Sequence, residues 1–158
     1  MERVLIPAVP AEDVLVAPNI LEYPYARSGG PVIGRFMTGL RDGRIFGIRA
    51  VDGRVVVPPT EYDPVTSETL GEDRFVEVGQ AGVVTTWAWV HHPRERHPVH
   101  HPFAWALVRL DGADTALLHA VDAGDESRMA TGMRVEVRWR DERVGEIQDI
   151  ASFVPEGG

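Results

Sequence analysis

The sequence predicts a mainly β protein in which a small closed Greek-key barrel of the OB type follows a short helix and a β-hairpin. Three observations carry that expectation. From about residue 72 onward, short apolar segments rich in Val, Trp and Phe are separated by turn residues, the pattern of successive strands. Met133, Val135, Val137 and Trp139 alternate with Arg134, Glu136, Arg138 and Arg140, as a half-buried strand requires. Asp52-Gly53 and Asp111-Gly112 each lie between apolar runs, and Asp-Gly in that setting is a strong hairpin signal.

Taken in order, residues 1–30 read as an extended arm. Pro7, Pro10, Pro18 and Pro24 break helix and central strand alike. Tyr23 and Tyr25 flank Pro24, and aromatics in such an arm either anchor an interface or pack on the parent domain. Val32, Ile33, Phe36, Met37 and Leu40 form a helical stripe. Pro31 suits the first turn of that helix and Gly43 its exit, so a helix is expected over about 31–41, with Gly34 and Gly39 counting against it. Arg44–Ala50 and Arg54–Val57 flank the Asp52-Gly53 turn, and Pro58-Pro59 stops the second strand. Arg74–Val78 and Val83–Val90 are expected to form one long first barrel strand, bent or bulged at Gly79 and Gly82. Phe103–Leu110, Ala116–Val121, Met133–Trp139 and Glu146–Phe153 supply the remaining strands. The expected division is an arm at 1–30, helix and hairpin at 31–71, and the barrel at 72–158.

Composition narrows function. With 158 residues, 44% of them hydrophobic, the chain can bury one core without a disulfide or metal staple. It has no run of about 18 apolar residues, and acid and proline stand where a signal peptide would be apolar, so a cytoplasmic location is expected. It has neither cysteine nor lysine, all 16 basic residues being arginine. That removes thiolate nucleophiles, thiolate metal sites, Schiff-base chemistry and the phosphate-loop lysine. A net charge of −8 argues against nucleic acid, because phosphate binding needs a basic footprint. Arginines at 41–54 and 134–143 alternate with apolar residues and read as solvated strand faces, with a CoA phosphate site as the alternative.

Helix, hairpin and barrel in this order resemble the DUF35 family, acyl-CoA-associated OB-fold proteins with a rubredoxin-like zinc ribbon. The correspondence runs through Phe36–Gly43, Gly47–Leu70, and Arg74 to the end. Family members carry two Cys-x-x-Cys knuckles, the first just before a Gly-Arg pair and the second around a proline-containing segment. Here the matching positions are Arg49 and Asp52, ahead of Gly53-Arg54, and Asp63 and Thr66, around Pro64. Structural zinc needs four deprotonated soft or borderline ligands, so the resemblance implies a ribbon without metal, resting on packing alone, and no cofactor. It also implies the role: a non-catalytic partner of thiolase-superfamily enzymes (thiolases and the lipid-transfer-protein aldolases among them) or of acyl-CoA hydratases. Such a subunit would stabilise its partner and help shape the acyl-CoA site, and a steroid or fatty-acyl side chain is the substrate class this association suggests.

Five of the six histidines fall in His91-His92-Pro93-Arg94-Glu95-Arg96-His97-Pro98-Val99-His100-His101. The segment reads first as a polar inter-strand loop. Its prolines leave no helical register for ligands, so a metal site, and with it a small metal-assisted hydrolase or hydratase, is the alternative. Between these lies a partner or CoA site using Arg94, Arg96, His97, His100 and His101, since arginine suits bidentate phosphate contact. Trp87 and Trp89 share one strand face and Trp105 lies on the next strand; with Tyr23, Tyr25, Phe36 and Met37 they are the partner-interface candidates, core being the plainer reading for the tryptophans. His119, within an apolar strand, reads as structural. Single-stranded nucleic-acid binding, common for such barrels, is disfavoured by the charge.

Overall fold

The computed structural model describes residues 28–157, with Ala17, Asn19 and Leu21 ahead of them; the arm aromatics Tyr23 and Tyr25 lie outside the described residues. Helix α1 spans Gly30–Arg41 with Pro31 in its first turn. The stripe read from the sequence turns inward: Val32, Phe36 and Leu40 are buried, while Ile33 and Met37 are half-buried. Gly39, which counted against the helix, is what lets it pack. A Cβ there would stand 2.6 Å from Cδ2 of Phe46.

The hairpin is β1 (Ile45–Arg49) and β2 (Val55–Val56), paired antiparallel with Ile48 opposite Val56. The strand that follows departs from expectation. β3 (Phe75–Val78) does not open the barrel; it pairs antiparallel with β1, Ile45 opposite Val78 and Ile48 opposite Phe75, giving a sheet of order β2-β1-β3. Burial explains it, because Val78 joins buried Ile45, Val55 and Val57 and the Phe75 ring meets Phe46 edge-on at 6.2 Å. The chain crosses to the barrel at Gly79, whose N–H bonds to Asp111 O at 2.8 Å.

The barrel consists of β4 (Ala81–Val90), β5 (Phe103–Leu110), β6 (Leu117–Val121), β7 (Arg134–Trp139) and β8 (Ile150–Pro155). They close in the order β4-β5-β6-β8-β7. All seams are antiparallel except β6 with β8, which is parallel, Val121 opposite Phe153. The bulge in the first strand falls at Val84/Thr86, beyond the glycines that suggested it.

One apolar cluster joins both parts: Phe36 and Leu40 of α1 and Val55, Val57 and Val78 of the small sheet pack with Val84, Val108, Val135 and Phe153 of the barrel. Polar contacts add to this. Asp114, in the β5–β6 connection, accepts from Val55 N at 2.8 Å, and Thr115 Oγ1 accepts from Val57 N at 2.7 Å. These bonds occupy the free edge of β2, the side on which a strand is otherwise unpaired. Among the described residues no helix is long and apolar enough to cross a membrane.

Candidate functional site

Alternation along the strands assigns the aromatic residues. Trp87 and Trp89 lie opposite Ala106 and Ala104, whose small side chains are buried and leave room for two indoles inside. Both indoles pack against the main core, so they face the barrel interior. Trp105 belongs to the opposite face, with Val90, Val99, Phe103 and Ala120. Phe36 is corrected as an interface candidate: at 1% exposure it is core, because the helix turns its apolar stripe onto the sheet. Met37 is half-buried against the same core.

The histidines of the β4–β5 loop diverge. The His97 ring meets Phe103 and Trp105 edge-on at 5.5 and 6.1 Å, and its Nδ1 accepts from Arg94 N at 3.1 Å. His101 Nε2 lies 2.9 Å from Asp122 Oδ1, while Asp122 Oδ2 accepts from Arg138 at 2.8 Å. His91 faces Glu126 at 3.9 Å, and His92 and His100 are exposed. Among the described residues no three His, Cys, Asp or Glu side chains group to hold a metal. The loop is instead tied to the barrel through Asp122. Burial opposes ionisation of this carboxyl, yet the His101 and Arg138 hydrogen bonds outweigh it and hold it below the usual carboxylate range.

The four former zinc positions do not fit the ion. Arg49 is a cation bonded to Gly53 O at 2.9 Å, and Asp52 is paired with Arg54 at 2.6 Å. Thr66 is exposed. Asp63 is buried, at 3% exposure, and its carboxylate accepts from Val51 N at 2.7 Å, Val65 N at 2.8 Å and Thr66 N at 2.9 Å. Backbone donors from Thr66, Val51 and Val65 hold its pKa low. The expectation that this segment rests on packing alone is therefore corrected: one carboxylate ties the hairpin turn to the 63–66 turn.

His119 faces inward, opposite Ala106, edge-on to Phe153 at 5.8 Å. Its Nε2 lies 3.4 Å from Ile147 O, which requires the proton on Nε2 and leaves Nδ1 without a partner. Burial lowers its pKa below 6.5. As pH falls under 6.5 the unfolded chain takes up this proton before the folded one, so stability drops through that window at up to about 1.4 kcal/mol per pH unit. Thermal unfolding followed from pH 7.5 to 5.5 is expected to show a falling Tm, and His119→Gln to flatten the slope. An unchanged slope in the variant would assign the effect elsewhere.

Sequence reasoning named Trp105 on the outer side of the barrel but not Leu107, Arg109 and Leu118 beside it. β5 reads Phe-Ala-Trp-Ala-Leu-Val over 103–108, apolar on both faces, although an antiparallel strand of a small barrel ordinarily turns one face to water. Its outward residues are Phe103, Trp105 and Leu107, followed by Arg109, and β6 adds Leu118 opposite Leu107.

A closed five-stranded Greek-key barrel with this order is an OB-fold. Residues 75–140 match the family model described as the C-terminal OB-fold domain of ChsH2, a stretch shorter than half the chain. Among solved structures, the chain is similar to the Ltp2–ChsH2(DUF35) aldolase, with a TM-score of 0.56 and 20% identity over 77% of this chain and 91% of that one. It is also similar to a DUF35-family protein of unknown function from Sulfolobus solfataricus, with a TM-score of 0.54 and 22% identity over 68% and 78%. At these identities the likeness is one of fold. The resemblance to DUF35 proteins read from the sequence thus stands, over residues 75–140 by sequence and over a wider span by fold. No curated protein matches the chain.

Proposed function

We propose that this chain is a non-catalytic subunit of an acyl-CoA aldolase or thiolase of the thiolase superfamily. In that role it stabilises the enzyme subunit and helps shape its acyl-CoA site in the breakdown of steroid or fatty-acyl side chains. The observation that carries this reading is the match of residues 75–140 to the ChsH2 OB-fold domain, joined to a fold likeness covering 91% of a chain in the Ltp2–ChsH2(DUF35) aldolase. Two features support it. The sequence has no cysteine or lysine, so the covalent chemistry of such an enzyme falls to the other subunit. Three of the five loop histidines, His97, His101 and His91, face Trp105, Asp122 and Glu126 in turn, three separate places rather than one reacting centre. The complex acts in the cytoplasm.

Co-expression with a thiolase-like subunit from the same genome, followed by size-exclusion chromatography with light scattering, tests the proposal. The expected result is a stable hetero-oligomer that cleaves acyl-CoA only when both chains are present. A lone monomer that binds metal stoichiometrically and forms no complex would overturn it.

A further inference from the structure

The outer surface of β4, β5 and β6 is apolar where a small barrel facing water is ordinarily polar. Across the strands run two rows, Thr86–Leu107–Leu118 and Ala88–Trp105–Ala120. Leu118 is 59% exposed, Ala88 and Thr86 are exposed, Trp105 and Leu107 are half-buried, and Ala120 is buried beneath them. At one end the strip closes, because Val99 and His97 fold down from the β4–β5 loop onto Phe103. At the other it runs into Arg109. Arg94 and Arg96, on either side of Glu95 in the turn that carries His97, stand at the loop end. All three arginines are exposed, and among the described residues none pairs with a carboxylate within 4.0 Å, unlike Arg44, Arg54, Arg134 and Arg138.

Charge selects the occupant. A chain of net charge −8 presents unpaired arginines around this apolar strip. A second copy docking face to face would set arginine against arginine, which an isologous contact cannot escape. Nucleic acid would match the arginines but needs stacking rings, and the Trp105 ring is engaged by His97 beside the aliphatic Leu107 and Leu118. We infer that this face docks a segment of the enzyme subunit with apolar side chains at its centre and Asp or Glu at its edges. The inference rests on the subunit reading above and names the surface through which it is exercised.

Hydrogen exchange read by mass spectrometry, on the full chain alone and with the thiolase-like subunit, gives the test. Protection is expected across 104–109 and 117–120. Leu118→Glu and Arg109→Glu should each weaken association tenfold or more while leaving Tm within about 2 °C, since both side chains point to solvent. The Arg109→Glu effect should shrink between 50 and 500 mM salt, as screening of an exposed charge requires, and the Leu118→Glu effect should persist. A complex that forms with protection elsewhere, or with unchanged affinity in both variants, overturns the docking face and leaves the subunit reading standing. So does binding of a single-stranded oligonucleotide abolished by Arg109→Glu. A wild-type chain that forms no complex overturns the subunit reading and this inference with it.

Discussion

Gly82→Val is expected to lower Tm by roughly 10 °C, corresponding to a loss of about 3 kcal/mol or more. Valine is the better strand former, so intrinsic propensity predicts the opposite sign. The loss comes from close approach. Gly82 pairs with Leu110 on one side and Val135 on the other, at the point where β4 is held between β5 and β7. A Cβ there would fall on the Arg109 carbonyl oxygen and stand 2.8 Å from Leu110 Cα. These are backbone atoms and cannot rotate away, so either β4 or β5 must move and the barrel seam with it. Thermal unfolding by circular dichroism measures the effect, and Gly82→Ala should show a smaller loss of the same sign. A variant as stable as the wild type would show that the seam is looser than this geometry.

Asp63→Ala is expected to lower Tm by roughly 5 °C or more, because it leaves three backbone donors without their acceptor. The effect should be local before it is global. Amides of Val51, Val65 and Thr66, which donate to this carboxylate, should lose hydrogen-exchange protection first, while β5 and β6 stay protected. Asp63→Asn, retaining one acceptor oxygen, should fall between the two. Acid offers an independent check on the same bonds. Since the folded-state pKa lies below the ordinary value, the stability Asp63 contributes is complete above about pH 4 and is lost as pH falls through the folded pKa. That window opens at about pH 4, whereas the one belonging to His119 opens at about pH 6.5. Uniform loss of protection in Asp63→Ala would mean that the carboxylate does not link the two turns.

The sequence by itself determined the elements whose signals are local. The stripe Val32, Phe36, Leu40 marked a helix, Asp-Gly marked two turns, and the alternation from Met133 to Trp139 marked a strand, because periodicity and turn chemistry act between residues a few positions apart. It also bounded the chemistry, since a chain without cysteine or lysine offers neither a thiolate nor a side-chain amine as nucleophile. Only the tertiary structure decided what depends on distant partners. Phe75–Val78 reads as a strand in any sheet, and what gave it to β1 was the burial of Val78 with Ile45 and the crossing at Gly79. Which indole faces water followed from register, where a shift of one residue exchanges the two faces. The sequence placed an aspartate at position 63, where the family it resembles carries a zinc-ligand cysteine. That its carboxylate reaches Val51, 12 residues away, was decided by the approach of two turns, because a hydrogen bond needs its donor within about 3 Å and no local pattern encodes that meeting.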